Sequence, residues 1–132
     1  MPLKLPRLRL VMSPDSVYNY TGLLTGAQMI PGDTLNQIKK ALGLAFGSRL
    51  TGVVLYGSEA RGQSGPESDI DLLVLLKGPI DYGQDLQRCI DAVYDFSAAL
   101  GRRISAKPAD ALEYETLDCP LYRAAHEEGV AA

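Results

Sequence analysis

The stretch "VVLYGSEARGQSGPESDIDLLVLL", residues 53–76, holds the residues whose types and spacing could do chemistry: Gly57, Ser58, Arg61, Asp69 and Asp71. Asp69 and Asp71 flank one isoleucine at the start of an apolar run. In a strand, residues two apart share a face, with Cα atoms about 7 Å apart. The two carboxylates therefore project side by side. Like charges held together are costly unless something pairs with them, and a dication between them relieves the cost. Hard oxygen ligands suit Mg²⁺ or Mn²⁺, which keep waters and accept phosphate oxygens as further ligands. Taken alone, the pair also fits a solvated strand mouth, because two-residue motifs match by chance.

The other half of the stretch suits an anion. Gly57 lets the backbone turn sharply off a strand, and Ser58 begins a helical turn whose free amides point outward. Such amides with a hydroxyl can cradle phosphate. A triphosphate with its tail on Gly57 and Ser58 would bring its reactive phosphorus near Asp69 and Asp71. Arg61 either touches those phosphates or pairs with Glu59, Glu67 or a helix carbonyl.

Several elements must position these residues. Asp33 is expected to cap a helix at about 34–46, in which Leu35, Ile38, Leu42, Ala45 and Phe46 recur at helical spacing and Gly47 stops the run. "LTGVVLYG" and "DIDLLVLL" read as inner strands. "SEAR" fits one helical turn. "YGQDLQRCIDAVYDFSAALG" is the clearest helix, with Leu86, Cys89, Ile90, Val93, Ser97 and Leu100 on one face and Gly101 as its stop. "RRISAKP" is expected as a third strand ended by Pro108. "ADALEYETL" is ambiguous between helix and loop. "DCPLYRAAHEEG" suggests a short helix with Pro120 near its start. The implied fold is α/β, a small mixed sheet of about three to four strands flanked by helices. Residues 1–32 read as a breaker-rich arm or extension, and 33–132 as the single domain.

The 132 residues carry a net charge of -3, so no overall basic field points to nucleic acid. Cys89 and Cys119 stand thirty residues apart without a Cys/His cluster, which argues for thiols in a reducing compartment rather than a zinc site. The N-terminus lacks a continuous apolar stretch of signal-peptide type, and no run approaches a membrane span. A cytoplasmic protein is expected. His126, beside Glu127 and Glu128, reads as a surface residue, and Tyr56 as a core tyrosine at a strand end. Arg102 and Arg103 read as a basic patch or as charges at a helix C-terminus.

"GSEARGQSGPESDID", with ten residues between Ser58 and Asp69, resembles the G-S-x10-D-x-D signature of the DNA polymerase beta-like nucleotidyltransferase superfamily. "YGSEARG" with "SDIDLLV" is similar to its minimal nucleotidyltransferase branch. "PLYRAAHEEG" is similar to that branch's C-terminal helix, so the resemblance spans about 34–129. It implies transfer of a nucleoside monophosphate, AMP from ATP, onto a hydroxyl, with Asp69 and Asp71 holding Mg²⁺ or Mn²⁺. Gly57 and Ser58 would bind the β and γ phosphates. It also implies a partner, a helical HEPN-type toxin for which the chain serves as antitoxin; homo-oligomerisation stays open. The superfamily's third carboxylate has no counterpart in "RRISAK", which offers Ser105 or Lys107 instead. Either Asp110 or Glu113, after Pro108, reaches back, or the set is incomplete and the chain binds nucleotide while turning over slowly. A catalytically weak module that neutralises a partner by direct contact is the alternative.

Overall fold

The computed structural model describes residues 32–62 and 68–132. The extension expected at 1–32 and Glu67 lie outside these residues, Gly32 excepted. Helix α1 (Gly32–Phe46) leads through a tight turn into β1 (Leu50–Tyr56). A single helical turn, α2 (Gly57–Ala60), follows directly, and β2 (Ile70–Leu76) returns antiparallel to β1. Helix α3 (Tyr82–Leu100) crosses to β3 (Ile104–Asp110), which lies parallel to β2. Helices α4 (Ala111–Thr116) and α5 (Pro120–Glu128) precede a two-residue strand, β4 (Val130–Ala131). The sheet order is β3-β2-β1-β4.

The helices sandwich this sheet. Leu35, Ile38 and Leu42 of α1 and Cys89 and Val93 of α3 pack on the face that carries Val53, Leu55, Leu72 and Val74. Tyr114 of α4 and Ala125 of α5 pack on the opposite face, against Val54, Tyr56, Leu73 and Leu75. Burial on both faces explains why β1 and β2 read as continuous apolar runs rather than alternating ones.

α3 ends as its sequence suggests: Gly101 takes φ 65°, and the amides of Gly101 and Arg102 return to Ala98 and Ser97. Asp81 caps its start by accepting from the Gln84 amide at 3.3 Å. Three expectations are corrected. Asp33 sits inside the first turn of α1, which begins one residue earlier, and it accepts from Gln37 Nε2 at 3.0 Å. A carboxylate there still favours the positive helix end. Pro108 does not end the third strand; β3 runs through it to Asp110. As an edge strand, β3 has one neighbour and does not need every N–H. His126 is half-buried rather than a surface residue, stacked on Tyr114 at 4.0 Å with Nε2 2.8 Å from the Tyr114 carbonyl oxygen.

Candidate functional site

β1 ends at Tyr56 and the chain turns at Gly57, whose φ is +74°. Only glycine takes this conformation at little cost. Tyr56 lies across the antiparallel ladder from Asp71, at the start of β2. The turn therefore delivers Gly57 to the Asp71 carboxylate: a Cβ at Gly57 would stand 2.5 Å from Asp71 Oδ2. Ser58 follows in the first turn of α2. The two halves of the motif thus meet in space, across the ten residues that separate Ser58 from Asp69 in sequence.

The face of the sheet is set by alternation. Asp71 shares the α4/α5 face with Leu73 and Leu75, and Asp69 precedes it by two. Asp69 is exposed, with Oδ2 3.9 Å from Arg103 Nη1. Asp71 is half-buried, and burial is the main cause that raises its pKa, with the Asp69 charge adding to the rise. Lys107, Arg103 and Arg61 oppose it, Lys107 most strongly. The carboxylate pair thus faces three cations, which also suit a polyanionic ligand.

A buried ion pair frames the site. Glu59 of α2 is 0% exposed and receives Arg102 Nη2 at 2.6 Å. Arg102 Nε donates to the Ser68 carbonyl at 3.0 Å, one residue before Asp69. Arg102 is therefore a structural bridge, not a surface basic patch. Arg61 reaches α5, where its guanidinium meets the Glu128 carboxylate at 2.7 Å. These pairs depend on contacts between distant elements, which spacing in sequence does not reveal.

Register places the β3 residues relative to the pair. Ser105 stands opposite Asp71, whereas Asp110 stands opposite Leu76. Five residues of strand put Asp110 about 16 Å further along. Asp110 is engaged there as the cap of α4, accepting from Leu112 N at 2.9 Å and Glu113 N at 3.2 Å. Asp110 does not reach back to the pair, and Glu113 lies in the first turn of α4. Among the described residues no three His, Cys, Asp or Glu side chains gather as a metal-binding group.

Tyr56 is 7% exposed, and its hydroxyl is buried without a hydrogen-bond partner. Burial pushes its pKa up to about 12, with the charges of Asp71 and Tyr82 adding. A groove of about 420 Å³ runs between α3 and β3 and is lined in part by Tyr82, Arg103, Ser105 and Lys107. Sequence reading found the aspartates and the Gly-Ser turn. It missed Lys107 as a cation at the pair, although Ser105 and Lys107 are two apart on one strand, the same spacing that drew attention to Asp69 and Asp71.

Among the described residues no helix is long and apolar enough to cross a membrane. The fold resembles that of a solved protein described as "Crystal structure of the toxin-antitoxin with AMP-PNP", at a TM-score of 0.54 and 21% identity, over 73% of this chain and 69% of that one. No curated protein matches the chain in sequence. The model of the nucleotidyltransferase domain matches residues 35–130, which takes in the Gly57–Ser58 turn, both aspartates and the helices that cover the sheet except the first three residues of α1. With the signature in place and most of the chain matched, the protein belongs to the nucleotidyltransferase domain family.

Proposed function

We propose that the chain is a Mg²⁺-dependent nucleotidyltransferase that moves AMP from ATP onto a hydroxyl acceptor. The observation that carries this reading is the contact between Gly57 and the Asp71 carboxylate, with Asp69 two residues away. The donor set fits a hard dication. Two adjacent carboxylates, one of them half-buried, and a serine opposite supply oxygen, and Mg²⁺ completes its shell with water and phosphate. When bound, the metal would supply charge stabilisation at the phosphates and orient the acceptor hydroxyl.

The residues of the chain divide the remaining work. Asp69 and Asp71 would hold the metal. The Gly57 and Ser58 backbone would bind the β and γ phosphates, and the glycine leaves room for Asp71 beside them. Lys107 and Arg103 offset triphosphate charge. Arg61 contributes positive charge while its ion pair with Glu128 holds α2 against α5. Ser105 stands where a third carboxylate would assist the acceptor, so hydroxyl activation is weak and turnover slow.

The likeness in fold to a toxin-antitoxin structure supports a protein as the acceptor's source; the partner we propose is a HEPN-type helical protein in the cytoplasm. Incubation with α-labelled ATP, Mg²⁺ and such a partner should label the partner. The Asp69→Asn, Asp71→Asn double variant should stay folded and transfer nothing; labelling that survives the double substitution removes the proposal. Ser105 opposite Asp71 favours a second reading, an antitoxin that acts by contact alone. In that case the folded double variant still neutralises its partner.

A further inference from the structure

We infer that Tyr56 is a ligand-contacting residue of this site, and that its hydroxyl donates a hydrogen bond to a phosphate oxygen of the bound nucleotide. The inference rests on the nucleotide-binding reading above and adds to it a residue that the signature does not contain.

Tyrosine hydroxyls inside proteins nearly always find a partner, because an unmade buried hydrogen bond carries the full desolvation cost. Tyr56 is the exception here: its hydroxyl is the one buried side-chain polar atom without a partner among the described residues. Its place is also specific. Tyr56 immediately precedes Gly57 and lies directly across the ladder from Asp71. Tyr114 on the same face, by contrast, is engaged with Tyr122 and His126.

The chemistry of the surroundings selects the ligand atom. The phenol is a donor in search of an acceptor. Asp71, its neighbour across the ladder, is faced by Lys107, Arg103 and Arg61, so the space beside it favours an anion. A phosphate oxygen satisfies the donor and is drawn by the same cations. A hydrogen bond from a neutral donor to a charged acceptor is also among the stronger ones a protein makes. In the free chain the hydroxyl costs stability; in the loaded chain it is paired.

The test measures binding and stability on the same variants. Isothermal titration of ATP with Mg²⁺ should show wild-type binding, loss in Asp71→Asn, and affinity about tenfold weaker in Tyr56→Phe. The weakening should persist with Mg²⁺ and pyrophosphate, which carries phosphates but no nucleoside. Without ligand, Tyr56→Phe should melt at or above the wild-type temperature, because it removes only an unpaired hydroxyl. Wild-type affinity in Tyr56→Phe alongside loss in Asp71→Asn overturns the inference and leaves the site reading standing. A folded wild type that binds neither ligand overturns both. A clearly lower melting temperature for ligand-free Tyr56→Phe shows the hydroxyl already partnered and overturns the inference. A defect seen with ATP but absent with pyrophosphate assigns the hydroxyl to the nucleoside and also overturns it.

Discussion

The Asp71 carboxylate rests against the α-carbon of Gly57, so close that a methyl group there would stand 2.5 Å from Asp71 Oδ2. Gly57 is also left-handed, at φ +74°. Gly57→Ala should therefore lose stability by at least about 1 kcal/mol from backbone strain alone. It should also push Asp71 aside and abolish Mg²⁺-dependent ATP binding. Urea unfolding and calorimetric titration check the two effects separately. Unchanged ATP affinity in a folded Gly57→Ala would show that the contact has no part in the site.

Asp71 and Asp85 should respond to pH in opposite directions. Burial raises the Asp71 pKa on folding, so its contribution to stability is present below the unfolded pKa and is lost as pH rises through the folded one. At neutral pH its charge costs stability, and Asp71→Asn should raise the melting temperature. Asp85 is buried against Arg49, which donates Nη1 and Nη2 to its two oxygens at 2.9 Å each. That hydrogen bonding lowers the Asp85 pKa. Its contribution is present above the unfolded pKa and is lost as pH falls through the lower, folded one. Asp85→Asn should lose stability at neutral pH and flatten the acid limb of the curve. Melting temperatures from pH 3 to 8 decide both signs.

Breaking the Glu59–Arg102 pair should be costly. Arg102→Met takes the cation from a fully buried carboxylate and should cost about 3 kcal/mol, read from the urea midpoint. Replacing both partners, as Glu59→Gln with Arg102→Met, should recover part of that loss, since a buried carboxylate stripped of its cation is worse than a neutral amide. A single substitution that costs less than about 1 kcal/mol would place the pair among weak surface interactions.

Ser105→Asp supplies a carboxylate opposite Asp71. Added ligand charge strengthens a hard-cation site, so Mg²⁺ affinity should rise about tenfold by calorimetry, with faster nucleotidyl transfer. No change in either would show that this strand position does not face the carboxylate pair.

How much of this was legible in sequence depends on the range of each interaction. β1 and β2 were readable because burial on both faces makes each a run of apolar residues. α3 was readable because its period and its stop, Gly101, are local signals; its cap, Asp81, is local too but was not read. Pro108 misled because a proline breaks an inner strand but not an edge strand, and edge position is a property of the whole sheet. β4 offered no pattern, since two residues cannot show a period. In the site, Asp69 and Asp71 could be singled out because their relation is local, two residues apart at the mouth of β2. The fate of Asp110 was not, because only the register with β2 places it at the far end. The Glu59–Arg102 pair joins residues forty-three apart, and no local rule connects them.

Arg102 holds both edges of the segment that joins the two halves of the motif: Glu59 before it and the Ser68 carbonyl after it. The distance from the phosphate-binding turn to the carboxylates is thus fixed from outside by the start of a third strand, as a clamp fixes two ends of a cord.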